Sequence, residues 1–281
     1  MGGLAHPDSG KPICGLKNGV IGGTSGSAYH PSLLRRCRFY NGRVMLEIRN
    51  IEFAFGGLKA LQGFSMTVEK DKIFSLIGPN GAGKTTLFNV IGGSLRPDSG
   101  SVVFMGKDIT RMKPHEICRE GIARTYQVKN IFPNLSVFDN VMAGMLKDSI
   151  DKKSREEKVY EILDFLKLRA IEKTIVSNLT PLESKLVELA RAMATSPKLI
   201  LLDELLGGLL PSETDKICDI VEILRDRGHT IFQIGHEIKP IMRTSDWIYV
   251  LDRGCYVADG PPDEIRNNKA VLSCYLEAEE D

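Results

Sequence analysis

The chain has 281 residues, 42% hydrophobic and 26% charged, a balance that suits one mixed globular domain with a sizeable core. Its net charge of +1 argues against a dedicated polyanion binder, and no apolar run reaches the roughly 20 residues that a membrane-spanning helix needs. The six cysteines, Cys14, Cys37, Cys118, Cys218, Cys255 and Cys274, form no CxxC pair and lie at no metal-binding spacing, which points to free thiols in a reducing compartment.

Residues 1–44 stand apart. They carry a net +5 and leave −4 for the rest of the chain. They are rich in Gly, Ser and Arg, lack sustained periodicity and lack the apolar stretch of a secretory signal. The segment reads as a disordered leader or a start assigned upstream of the working one near Met45, and its acid-poor composition also fits an organellar transit peptide.

From Met45 the alternation in "MLEIRNIEFAFGG" announces a strand. Phe55, near its end, precedes Lys84 by 29 positions and can stack on a base. "KIFSLIG" reads as a buried strand, and "TLFNVIGG" as the start of a helix. Between them lies "GPNGAGKTT", Gly78 to Thr86. This is the strand–loop–helix context of a P-loop. The glycines Gly78, Gly81 and Gly83 let backbone N–H groups turn inward around phosphate oxygens, with Pro79, Asn80 and Ala82 completing the nucleotide-binding loop. Lys84 reaches the terminal phosphates, the Thr85 hydroxyl ligates Mg²⁺, and Thr86 adds a phosphate contact.

"IARTYQ" follows as a short strand ending in Gln127, which can reach the metal or the attacking water. After it, Ile131, Phe132, Leu135, Val137 and Phe138 form a dense apolar set expected to face solvent and dock a partner. "KSREEKVYEILDFLKL" is an amphipathic helix. In "NLTPLESKLVELARAM", Thr180 caps a helix and Pro181 occupies its first turn. "LILLDE" is a strand apolar enough to be buried on both faces. It ends in Asp203, which would hold Mg²⁺ through water, and Glu204, which would polarise the attacking water. "TIFQIGHE" brings His236 to the same carboxyl edge. "WIYVLDRGCYVADG" closes as a hairpin turned at Asp252-Arg253-Gly254. Strand–helix alternation without an internal repeat argues for one mostly parallel α/β core.

The ordered set "GPNGAGKTT", Gln127, "LARAM", "LILLDE" and His236 resembles the nucleotide-binding subunit of an ABC transporter. The resemblance runs from Met45 almost to the C-terminus. "LEIRNIEFAFGGLKAL", "GIARTYQ" and the tail "ADGPPDEIRNNKAVLSCYLEAE" are most similar to the ATP-binding subunits of branched-chain amino acid importers. It implies an α/β fold: a P-loop NTPase, RecA-like core with an antiparallel β-subdomain and an inserted α-helical subdomain at about 129–180, all within 45–281. It also implies an ATPase with Glu204, His236, Gln127 and Lys84 in catalysis, Thr85, Gln127 and Asp203 at the metal, and ATP and Mg²⁺ as cofactors. The implied partners are a second ABC ATPase subunit in a head-to-tail dimer, transmembrane permease subunits and, indirectly, a solute-binding protein, with no nucleic acid. The implied location is cytoplasmic, peripheral on the inner face of the membrane.

Two stretches depart from the family pattern. The signature offered to the neighbouring subunit usually reads Leu-Ser-Gly-Gly-Gln, whereas Thr180, Pro181, Leu182 and Glu183 follow Leu179 here. Thr180 can replace the serine hydroxyl. Pro181 has no N–H to donate, and Leu182 adds bulk toward the neighbour's γ-phosphate. After the paired acids, Leu205 replaces a proline, and Leu210 in "GLLP" replaces a polar residue. The first reading is therefore an import ATPase subunit, slow as a homodimer. The alternative is a regulatory or assembly subunit that binds ATP and hydrolyses it weakly. An exporter subunit and a non-transport ABC ATPase acting on DNA or the ribosome also carry this cassette, although the chain lacks the coiled coils or duplicated cassettes of the latter.

Overall fold

The computed structural model describes residues 43–125, 131–145 and 151–277. The expected leader lies outside them except for its last two residues, and so does Gln127. Two β-strands open the described chain, β1 (Val44–Phe55) and β2 (Leu58–Glu69). They pair antiparallel and, with β4 (Ser99–Phe104) and β5 (Lys107–Asp108), form a sheet ordered β2-β1-β4-β5. Leu46, Ile48 and Ile51 of β1 and Phe64, Met66 and Val68 of β2 are buried on the inner side.

A second sheet holds the centre. It consists of β3 (Ile73–Ile77), β6 (Ile122–Arg124), β7 (Leu199–Asp203), β8 (Thr230–Ile234), β9 (Trp247–Asp252) and β10 (Cys255–Gly260). Their order is β10-β9-β3-β8-β7-β6, parallel throughout except for the β9–β10 hairpin. All five residues of β3, β7 and β8 are buried, so these strands read as mostly apolar runs instead of alternations, interrupted by the buried polar residues Ser75, Asp203, Thr230 and Gln233. Successive residues still separate by face. Leu199 and Leu201 pack with Phe74, Phe88 and Phe232 beneath the first sheet, while Ile200 and Leu202 join a second core built by the helices. Burying one such leucine contributes roughly 1.5–3 kcal/mol.

That second core is formed by α3 (Val137–Gly144), α4 (Lys152–Phe165), α5 (Pro181–Ala194) and α6 (Pro211–Asp226). The short α1 (Lys84–Ile91) and α2 (Pro114–Glu120) follow β3 and β5. Helices α7 (Ile238–Thr244), α8 (Pro262–Arg266) and α9 (Lys269–Glu277) lie around a smaller cluster with Ile77, Ile248 and Val250.

The loop before α3 departs from its expected exposure. Val137 is fully buried and Ile131 is 9% exposed, and both belong to the second core. Phe138 packs against that core with its ring 5.2 Å from Tyr160. Only Phe132 and Leu135 of the five stay exposed, joined by Ile175. Asn140 explains why the loop holds this shape. Its side chain is wholly buried; Oδ1 accepts from Phe132 N–H at 2.8 Å, and Nδ2 donates to the carbonyls of Phe132 and Ser136 at 3.0 Å. A buried amide satisfied this fully fixes the backbone around it.

Among the cysteines, Cys118, Cys218 and Cys274 are free, and burial pushes the Cys218 thiol up to about 11. Cys255 is disulfide-bonded, so the expectation of free thiols throughout fails at that position.

Candidate functional site

Three adjacent strands, β3, β8 and β7, deliver their carboxyl ends to one edge. β3 ends at Ile77 and leads into Gly78. β7 ends at Asp203, with Glu204 next, and β8 ends two residues before His236. The parallel register thus brings together residues far apart in the chain, at the edge where open α/β sheets bind ligands.

The loop from Gly78 to Gly83 is shaped by its glycines. Gly81 and Gly83 have φ of 77° and 104°, a region that side chains disfavour. A Cβ on Gly83 would also lie 2.4 Å from the Ala60 carbonyl oxygen. Gly83 is the N-cap of α1 and provides no side-chain cap. The first-turn N–H groups of this eight-residue helix therefore have no capping side chain, which is the arrangement that receives an anion.

Lys84 is 6% exposed. Its ammonium donates to the carbonyls of Gly78 and Pro79, both at 2.7 Å. Desolvation lowers its pKa, and the nearby Glu204 carboxylate opposes that shift. A lysine held in this way can exchange two carbonyls for the oxygens of an anion at little cost in burial. Thr85 and Asn80 are exposed, and Pro79 and Thr86 half-exposed, while Gly78 and Ala82 are buried beneath the loop.

Asp203 is the most enclosed acid of the site. Its Oδ2 accepts from Arg124 Nη2 at 2.6 Å, with the two side chains only 1% and 7% exposed. Asp203 Oδ1 is buried with no hydrogen-bond partner among the described residues. Burial raises the pKa of this acid, and the Arg124 guanidinium pulls it back down. An orphaned buried carboxylate oxygen needs a donor or a cation, so a hydrated Mg²⁺ fits here. Among the described residues no group of three or more His, Cys, Asp or Glu could hold a metal. The ion would then depend on Asp203, the Thr85 hydroxyl and nucleotide oxygens, as Mg²⁺ commonly does.

Glu204 has φ of 49°, left-handed for a residue with a side chain, and such conformations gather at active sites. Its amide donates to the Ile234 carbonyl at 3.0 Å, and its carbonyl accepts from Lys185 Nζ at 3.1 Å. Its Oε1 stands 3.8 Å from Nδ1 of His236, whose side chain is 52% exposed. Phe55 is also 53% exposed, and its ring meets Phe53 edge-on at 4.8 Å. It offers an uncovered face at the end of β1.

Sequence patterns alone missed three groups. Arg124 lies 79 positions from Asp203 and Lys185 lies 19 from Glu204, and although Arg124 falls within the stretch "GIARTYQ", no local pattern names the partner of either residue. Thr125 is the third: its hydroxyl accepts from the Asp203 amide at 3.1 Å.

The stretch Thr180 to Glu183 does begin a helix. Thr180 caps α5, accepting from Glu183 N–H at 3.3 Å, while Glu183 Oε2 accepts from Thr180 N–H at 2.8 Å. This is a capping box with proline at the first helical position, a strong helix start. Glu183 thus has a local task. Pro181 is exposed, and Leu182 packs against the second core. Leu210 is 65% exposed at the start of α6, while Leu205 is 4% exposed and buried.

A family model described as "ABC transporter" matches residues 61–207. The chain is 36% identical over 248 residues to a probable branched-chain amino acid transport ATP-binding protein, LivG, of Archaeoglobus fulgidus, covering 84% of this chain and 96% of the relative. It is 33% identical over 250 residues to the high-affinity branched-chain amino acid transport ATP-binding protein BraF of Pseudomonas aeruginosa, covering 83% and 98%. The crystal structure of a nucleotide-free ATP-binding cassette from an ABC transporter superposes with a TM-score of 0.77 at 34% identity, covering 83% of this chain and 98% of that one.

Proposed function

Because the chain belongs to the ABC transporter family of ATP-binding subunits, whose members hydrolyse ATP, we propose that it powers import of branched-chain or related amino acids through a membrane permease. The convergence of Lys84, Asp203, Glu204 and His236 at one sheet edge carries the catalytic part of this reading. The likeness to LivG and BraF, each named a branched-chain amino acid transport ATP-binding protein, supports the cargo.

In this reading ATP lies along Gly78 to Thr86 with its adenine against Phe55. Lys84 exchanges its loop carbonyls for the terminal phosphates. Asp203 and Thr85 hold Mg²⁺, with Gln127 in the position that the motif order assigns to it. The ion neutralises charge on the phosphates. Glu204 orients and polarises water, a contribution of roughly 10²–10⁴ in rate. His236, 3.8 Å from that carboxylate, steadies it and the γ-phosphate. Thr180, Pro181, Leu182 and Glu183 face the second subunit's nucleotide in a head-to-tail dimer.

No helix among the described residues is long and apolar enough to cross a membrane; in this reading attachment to the inner face runs through the permease. Exposed Phe132 lines a cleft of about 360 Å³ with Ile117, Cys118, Gly144, Arg191 and Thr195. That cleft lies where the helical and sheet layers meet and suits an inserted permease helix. A solute-binding protein acts on the far side.

The test is co-expression with candidate permease and solute-binding subunits in proteoliposomes, reading labelled leucine uptake and ATP hydrolysis together. Both rise with the complete set and vanish with Lys84→Ala. Hydrolysis without uptake of any amino acid would overturn the cargo, and unchanged hydrolysis in Lys84→Ala would overturn the site. A second reading, a regulatory subunit that binds ATP and turns it over weakly, is favoured by Pro181 and by Leu182 packing into its own core. A single-turnover assay with Glu204→Gln as baseline separates them, because the regulatory reading requires wild type to match that baseline.

A further inference from the structure

We propose that Arg124 is a positioning residue for the metal-holding acid: it fixes Asp203 so that one carboxylate oxygen, Oδ1, is kept for Mg²⁺. The inference rests on the magnesium reading above. The other polar atoms at Asp203 are closely engaged. Oδ2 is held by Arg124 Nη2 at 2.6 Å. The amide of Asp203 donates to Thr125 Oγ1 at 3.1 Å, and Thr125 N–H in turn donates to the Leu201 carbonyl at 2.9 Å. Two consecutive residues at the end of β6 thus hold the side chain and the backbone of one acid on β7.

The guanidinium is itself immobilised. Its Nη1 donates to Asn89 Oδ1 at 2.8 Å, and its Cζ lies 5.6 Å from the centre of the Phe88 ring. Asn89 and Phe88 belong to α1, the helix that starts at Lys84. Arg124 therefore joins the phosphate-binding helix to the metal-holding strand through one rigid fork. Arginine suits this because its fork makes two directed bonds at once, which a lysine ammonium cannot reproduce.

Two freedoms are removed. The carboxylate cannot rotate about its own axis without breaking the Oδ2 bond, and Asp203 cannot shift relative to α1. What remains is Oδ1, buried and without a hydrogen-bond partner among the described residues. Groups that orient a metal ligand in this manner are commonly worth about ten- to a hundredfold in metal affinity.

The experiment measures binding of a fluorescent ATP analogue to the full chain, first in EDTA and then in a MgCl₂ titration. It compares wild type with Arg124→Met, Arg124→Lys and Asp203→Asn. In Arg124→Met the Mg²⁺ concentration for half effect rises about tenfold, while affinity in EDTA stays within about twofold. Arg124→Lys, which keeps the charge and loses the fork, falls between wild type and Arg124→Met. A half-point within about twofold of wild type in both arginine variants, with Asp203→Asn shifted, overturns the role of Arg124. A half-point unshifted in Asp203→Asn overturns the magnesium reading itself. Should Arg124→Met fail to fold, Arg124→Lys decides alone, an unchanged half-point refuting the proposal. A loss of EDTA-state affinity equal to the loss in Mg²⁺ marks Arg124 as a general structural support and also refutes it.

Discussion

Replacing Pro181 and Leu182 together by glycine tests whether the modified signature limits hydrolysis. The change supplies one N–H that Pro181 lacks and removes the Leu182 side chain. A hydrogen bond to a charged phosphate is worth about 1.5–3 kcal/mol, and each 1.4 kcal/mol is roughly tenfold in rate. One recovered donor therefore predicts hydrolysis about ten- to a hundredfold faster in the homodimer. The structure also sets a cost. Proline at the first turn restricts the unfolded chain, and its loss costs about 0.4–1 kcal/mol. Leu182 is half-buried against the second core, so its removal costs roughly half the 1.5–3 kcal/mol of a fully buried leucine. With the glycine penalty in a helix, the double variant is less stable by about 2–3 kcal/mol. At about 2–4 °C per kcal/mol for a chain of this size, its melting point falls by roughly 4–12 °C. The assay is steady-state phosphate release at 20 °C with saturating Mg-ATP, beside a thermal melt. A melting point lowered as expected with a rate within about twofold of wild type would refute the argument.

Two other perturbations follow. Gly83→Ala places a Cβ 2.4 Å from the Ala60 carbonyl oxygen, whereas a Cβ on Gly81 meets nothing within 4 Å. Both have positive φ, so each carries about 1 kcal/mol or more of strain, but only Gly83→Ala adds a clash with backbone; its melting point falls well below that of Gly81→Ala, and equal melting points would contradict the close approach. His229 is partly buried against the Pro197 carbonyl, and desolvation lowers its pKa. A depressed value means that its contribution is present above the unfolded pKa of about 6.5 and is lost as pH falls through the folded one. Melting points taken from pH 7.5 to 5.5 therefore decline more steeply in wild type than in His229→Gln, and parallel curves would remove His229 from the account.

The legible parts of this protein are those where backbone geometry dictates residue type. Gly81 and Gly83 are spelled out because positive φ excludes side chains, and Thr180-Pro181 because a capped helix start requires that pair. The strands β3, β7 and β8 are readable because burial on both faces leaves them mostly apolar. The rest is hidden for a different reason. Arg124 looks like any strand-end arginine, since its partner stands on a strand that only tertiary pairing makes its neighbour. In the loop before α3, five apolar residues look alike in sequence. Their separation into buried Ile131 and Val137 and exposed Phe132 and Leu135 depends on how the loop folds over α3. No short-range period encodes that. Asn140 reads as an ordinary polar residue of a helix, yet it is wholly buried.

Asn140 has a mechanical consequence. Its amide clamps Phe132 and Ser136 from below, and Val137 N–H and Leu135 C=O are tied across to Thr174 and Val176 at 3.0 and 3.1 Å. A surface loop braced on both flanks does not yield locally, because each yielding step would expose an unpaired buried group. The backbone around Phe132 is thus bonded directly to α3, and Val137 and Val141 of α3 share an apolar core with Leu186 and Leu189 of α5, a continuous packed route from the outermost ring to the helix that begins at Thr180.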